Sequence, residues 1–143
     1  MRRHTVTATE AETELVGQQL AARLQGGSVV ALDGELGAGK TCFVRGLARG
    51  LRLNPSHVSS PTFVIEHRYH ALGSLSLAHI DAYRLASPAD LEAIGWDELL
   101  DDQTAVIAVE WAERVRAALP AAHFKVKLSH GANGTRVIEI TEP

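Results

Sequence analysis

The chain has 143 residues, 45% of them hydrophobic and 22% charged, with a formal net charge of −3. That size and balance predict one globular domain over residues 1–143, able to bury a core without covalent staples. The acidic balance argues against gripping nucleic acid by bulk electrostatics, and a single cysteine excludes an internal disulfide framework. No apolar run approaches the ~20 residues that a membrane span needs, and Met1–Glu10 carries no apolar stretch of the signal-peptide kind. A cytoplasmic protein with no membrane partner is therefore expected.

In chain order, "EAETELVGQQLAARL" predicts a helix, with Leu15, Leu20 and Leu24 near helical spacing. Thr7 or Thr9 can cap it, and Glu10, Glu12 and Glu14 suit its positive end. "SVVAL" (Ser28–Leu32) is an unbroken apolar run of the kind that buried parallel strands show. A glycine-rich loop follows, then "TCFVRGLARGL", whose Phe43, Val44, Leu47, Ala48 and Leu51 share one helical face. Gly46 weakens that helix locally and Gly50 is placed to end it. "TFVIEHRYH" and "SLSLAHID" read as a hairpin with Gly73 in its turn. "SPAD" (Ser87–Asp90) starts a helix that continues through Leu91 and Ile94 to an interruption at Gly95. "TAVIAVE" is a second buried strand, ending on Glu110. "HFKVKLSH" and "TRVIEI" around "GANG" form another hairpin. Strands on either side of a strand–loop–helix unit predict an α/β fold of the P-loop NTPase kind, with a mixed, mostly parallel central sheet.

The loop carries the chemistry. "GELGAGKT" fits G-x-x-x-x-G-K-[ST], with Gly34, Gly39, Lys40 and Thr41 in the fixed positions. Such a loop curls its backbone N–H groups around phosphates at the start of a helix, so Glu35, Leu36, Gly37, Ala38, Gly39, Lys40, Thr41 and Cys42 are candidate contacts. Lys40 reaches the β- and γ-phosphates as a point charge, and the Thr41 hydroxyl is placed to ligate magnesium. Turnover further requires a carboxylate near the metal and a group that orients water. Asp81 and Glu110 each close an apolar strand and are the two candidates; the sequence leaves open which of them meets the metal. His79 shares a strand face with Asp81, so a metal site including His67 or His70 is conceivable, though no closed ligand set is visible.

Beyond the loop, "SSPTF" (Ser59–Phe63), "HIDAYRL" (His79–Leu85), "IGWDELL" and "VEWAER" (Val109–Arg114) follow one another in an order and spacing that resembles the TsaE family, formerly YjeE. These are small bacterial ATPases needed to form threonylcarbamoyladenosine at position 37 of tRNA. The resemblance runs from about Thr9 to Arg114. It implies ATP and Mg2+ as cofactors, and as partners a TsaD-like threonylcarbamoyl transferase and a TsaB-like companion, with tRNA reached through that complex. It also implies roles: Lys40 and Thr41 on phosphates and magnesium, Glu110 as metal ligand, Asp81 in hydrolysis, Thr62 in a switch-like loop near the γ-phosphate, and a functional Trp111. The adenine end would meet Thr9, Glu10 and Arg136.

Two other classes compete. A small-molecule kinase needs an acceptor site and usually an arginine-bearing lid, and no long insertion supplies one. A nucleotide-gated interaction module with negligible turnover would use the same loop. A GTPase is disfavoured because the guanine-reading N-K-x-D pattern is missing. Arg45, Arg49 and Arg52 recur at helical spacing opposite the apolar face, as a solvated surface or a contact for a partner or tRNA phosphate. Cys42 stands where the family usually has a second threonine. A thiol at a helix N-terminus is expected to have a lowered pKa and to react with alkylating agents when the site is empty.

Overall fold

The four apolar residues that open β2 (Val29–Asp33) are all buried, which requires a layer on each face of the strand. A computed structural model describes residues 2–58, 66–69 and 75–143, and it supplies both layers. Val30 and Leu32 pack with Phe43 and Leu47 under α1 (Glu10–Ala21) and α2 (Lys40–Gly50). Val29 and Ala31 face the other way, toward Leu91, Trp96, Leu99 and Val115. These last come from the 3-10 segments Pro88–Ile94 and Ala112–Ala118 and from α3 (Trp96–Asp101).

Among the described residues the strands form one seven-stranded sheet. Its centre is β6 (Phe124–His130), β2, β5 (Ala105–Glu110) and β4 (Ser76–Asp81), all parallel. Beyond β6 lie β7 (Arg136–Thr141) and then β1 (Arg2–Thr7), each antiparallel to its neighbour, and β3 (Glu66–Tyr69) pairs antiparallel with β4. The expected α/β class and parallel centre are thus present, and so are both hairpins. The β3–β4 turn with Gly73 lies outside the described residues. β1 has no counterpart in the sequence reading. Five of its six residues are exposed, so it lacks the alternation that marks a half-buried strand, and only its pairing with β7 makes it one.

Local signals account for most element ends. Thr9 caps α1, its Oγ1 accepting from Glu12 N at 3.1 Å, while Glu12 Oε1 accepts from Ala8 N. Asp90 accepts from the main-chain N–H groups of Ala86 and Ser87. The helix it starts is wound as 3-10 and gives way at Gly95, where φ is 76°. Three expectations change. Leu15 is 51% exposed, because α1 meets α2 through Thr13, Gly17, Leu20 and Ala21. Gly46 is a contact rather than a flaw: a Cβ there would stand 2.0 Å from the Glu14 carbonyl oxygen, so it lets the helices touch. Gly50 likewise lies against α1, and the left-handed residue after α2 is Arg52, at φ 65°.

Candidate functional site

β2, β4 and β5 are parallel, so Asp33, Asp81 and Glu110 all emerge at one edge, the carboxyl ends where open α/β sheets carry their ligands. The glycine loop leaves β2 at that edge. Gly37 and Gly39 turn it at φ of 76° and 104°, values that a side chain would resist. The first main-chain bond of α2 runs from Phe43 N to Gly39 O at 2.9 Å. The N–H groups of Lys40, Thr41 and Cys42 therefore have no carbonyl one turn earlier. They open onto a cleft of about 430 Å³, whose lining includes Leu36, Gly37, Gly39, Thr41, Asp81 and Glu110. Donors without partners at a helix start, beside a glycine loop, fit a phosphate chain.

Lys40 is 6% exposed and points along the cleft. Its Nζ donates to Gly34 O and to Glu35 O, and lies 3.9 Å from the centre of the Trp111 ring. Burial pushes its pKa down, against the pull of Glu110, Glu113, Asp81 and Asp33. Asp81 and Glu110 stand opposite one another across β4 and β5 and are both buried. Burial pushes the Asp81 carboxyl up and Glu110 adds to it, while the Tyr83 N–H, donating to Oδ1 at 2.8 Å, opposes them. Two buried carboxylates side by side gain from a cation between them. His79, fully buried, is hydrogen-bonded through Nε2 to Glu110 Oε2, which fixes how that carboxylate is presented. Among the described residues no three His, Cys, Asp or Glu side chains form a metal cage. Magnesium does not need one, since it is usually held by one or two carboxylates plus phosphates and water.

A second cleft of about 170 Å³ adjoins the first and shares Glu10, Gly37, Gly39 and Cys42 with it. Thr9 and Arg136 line it, so the structure brings these two to the far end of the loop. Arg136 is held there by donating to Gly134 O and Thr135 O, both at 3.2 Å. Of the other candidates, Glu35 is exposed on the loop and Ala38 is buried beneath it. Thr62 lies outside the described residues, as does His70. Beside Lys40 lies a tilted aromatic pair that the sequence did not reveal. Tyr83 lies 5.0 Å from Trp111, ring centre to ring centre, with Arg114 above Tyr83. The "DAYRL" and "VEWAER" segments contain these residues, but only strand pairing shows that they meet.

The family model for threonylcarbamoyl adenosine biosynthesis protein TsaE matches residues 7–138. The chain belongs to the TsaE family. A relative from Treponema pallidum is 42% identical over 135 residues, covering 94% of this chain and 97% of that protein. One from Bacillus subtilis is 36% identical, covering 94% and 82%, and one from Streptomyces coelicolor is 40% identical, covering 84% and 80%. All three are named tRNA threonylcarbamoyladenosine biosynthesis protein TsaE. The crystal structure of YdiB from Bacillus subtilis superposes with a TM-score of 0.80 at 30% identity, covering 99% of this chain and 86% of that one.

Against that family background two expectations about individual residues are corrected. The Cys42 thiol is not activated. It is 7% exposed, its Sγ donates to Glu10 O at 3.2 Å, and burial together with the Glu14 charge raises its pKa above the usual 9.0. The helix N-terminus that would favour a thiolate is outweighed by desolvation. Alkylation of the native protein at neutral pH should accordingly run at least about tenfold slower than that of the urea-unfolded chain, and accelerate only in alkali. Mass spectrometry of iodoacetamide-treated samples would measure both rates, and equal rates would contradict this assignment. The arginine row does not lie wholly on the helix either. Arg45 and Arg49 both lean on Glu14 of α1, at 3.8 and 3.5 Å, and Arg52 lies past the end of the helix.

Proposed function

We propose that this chain binds magnesium-ATP in the loop cleft and hydrolyses it in the service of tRNA threonylcarbamoyladenosine biosynthesis. In this reading its cycle resets a TsaD-like transferase and a TsaB-like companion, and tRNA is met only through that complex. The observation that carries it is the buried Lys40 beside the facing carboxylates of Asp81 and Glu110. A buried lysine with two acids across from it is a site built for an anion plus a divalent cation.

The residues divide the work by chemistry. Backbone N–H groups of Gly37 to Cys42 and the Lys40 ammonium hold the phosphates. Thr41 and Glu110, with Asp81 near, would hold magnesium, which when bound would neutralise charge on the β- and γ-phosphates. Asp81, kept in place by the Tyr83 N–H, orients the attacking water and receives its proton. Thr62 belongs near the γ-phosphate. Thr9, Glu10 and Arg136 line the neighbouring cleft and would meet the adenine end. No described helix is long and apolar enough to cross a membrane, and we assign the protein to the cytoplasm.

The test is a reconstituted tRNA-modifying complex. Lys40→Ala should leave a first turnover intact and reduce multiple turnover at least about tenfold, the order lost when one positioned charge is removed from phosphoryl-transfer chemistry. Full multiple-turnover speed with that variant would sink the proposal. Phosphate transfer to a metabolite without any protein partner would favour the kinase instead.

A further inference from the structure

Trp111 is held in a conformation that it would not take unaided. Its φ of 56° and ψ of 42° lie in the left-handed region, which bulky residues avoid and keep only where neighbours impose it. That turn brings the indole back over Lys40 Nζ. Two residues further along, the chain is fastened to the end of β2. Leu32 stands opposite Glu110 in the β2–β5 pairing, so the next residue, Asp33, lies beside the chain as it leaves β5. Asp33 Oδ1 accepts from Glu113 N at 3.1 Å, and Oδ2 accepts from Arg116 Nη2 at 2.8 Å. Burial works against its charge, but the hydrogen bonds from Glu113 and Arg116 prevail and hold its carboxyl below the usual 3.8. It is a charged acceptor at neutral pH. Asp33 also adjoins Gly34, whose carbonyl receives the Lys40 ammonium. On the opposite side Tyr83 closes against the indole.

We propose that Asp33 is a positioning residue of the nucleotide site, holding Trp111 over Lys40 through the main chain of Glu113 and the side chain of Arg116. Asp33 lines neither of the two clefts described above. Its action ties the root of the phosphate loop to the exit of β5, so that the lysine and the ring that covers it move as one piece. The consequence for nucleotide affinity rests on the magnesium-ATP reading above; the placement of Trp111 does not.

The chain has two tryptophans, so fluorine-labelled tryptophan gives two NMR resonances, with Trp96 as an internal reference and Trp111→Phe making the assignment. Without nucleotide, Asp33→Ala should shift or broaden the Trp111 resonance and leave that of Trp96 in place. Asp33→Asn keeps an acceptor for Glu113 N but turns amide donors toward Arg116, so it should move the Trp111 resonance about as far as loss of the Arg116 arm does and less than Asp33→Ala. Arg116→Ala removes one arm from the other side and should move Trp111 in the same direction, which keeps the test open if Asp33→Ala fails to fold. Calorimetry with magnesium-ATP should then show about fivefold weaker binding for Asp33→Ala, the order of losing one cation–π restraint, and a smaller loss for Asp33→Asn. Trp111 resonances unmoved in both Asp33→Ala and Arg116→Ala would overturn the proposal. So would a displaced Trp111 with unchanged nucleotide affinity. If the parent protein itself bound no magnesium-ATP, the functional reading would fail, while the fluorine spectra would still decide what Asp33 does.

Discussion

Asp81→Asn should bind magnesium-ATP within about threefold of the parent and turn it over at least about 100-fold more slowly, the range lost with a positioned general base. Asparagine keeps the shape of the side chain and an oxygen for the Tyr83 N–H, so the 81–83 turn is preserved. What it loses is the charge and the ability to take a proton from water. Glu110→Gln separates the roles of the two acids. Its partner His79 is buried against it, and removing the charge should weaken magnesium by about 10–100-fold, the scale seen when a ligand or its support is lost. Binding calorimetry at two magnesium concentrations and ATPase assays with the partner proteins present would distinguish them. If Asp81→Asn hydrolysed ATP at the parent rate, the catalytic assignment would be wrong.

Gly46→Ala should be among the most damaging small substitutions outside the cleft. Alanine is favoured over glycine within a helix by about 1 kcal/mol, which taken alone predicts stabilisation. The added Cβ, however, would lie 2.0 Å from the Glu14 carbonyl oxygen and 2.8 Å from its carbon. Both are main-chain atoms and cannot swing aside. Relief requires α1 and α2 to part, which opens packing around Leu20, Phe43 and Leu47. Overpacking of this kind costs roughly 1–3 kcal/mol or more, and with a backbone clash we expect a net loss of about 2 kcal/mol. For a chain of this size that lowers the melting temperature by roughly 5–10 °C. Thermal unfolding followed by circular dichroism would measure it, and a melting point at or above that of the parent would show that the helices separate freely.

The same glycine shows where sequence reasoning stops. Helix propensity describes a residue against solvent, and Gly46 reads as a weakness by that measure; its use appears only once α1 is laid across it. The phosphate loop was legible because its chemistry is local. Three glycines, a lysine and a threonine within eight residues need no partner to be understood. The strands of β2 and β5 were legible for a related reason, since burial on both faces leaves only apolar residues to read. Asp33 was invisible. Nothing in "ALDGEL" distinguishes its carboxylate from a solvated strand end, and its partners, Glu113 and Arg116, are 80 and 83 residues away. The tilted Tyr83–Trp111 pair was hidden in the same way. Cys42 was misread because the local rule, a thiol at a helix start, is true in water and loses to burial here. β1 illustrates the remaining kind of failure: a strand whose side chains face solvent carries its reason for existing entirely in another strand's hydrogen bonds.

That strand also determines how the molecule would answer to force. β1 and β7 pair antiparallel with Arg2 opposite Thr141, and β7 runs antiparallel to β6. Both termini therefore leave the sheet from the end remote from the cleft. Pulled apart by those termini, the chain would not shear. The β1–β7 ladder would open as a zipper, one rung at a time from Arg2–Thr141 toward Thr7–Arg136, yielding at low load. The last rung is Thr7–Arg136, and Arg136 lines the second cleft, so tension on the ends would reach the clefts only after the whole edge had peeled away.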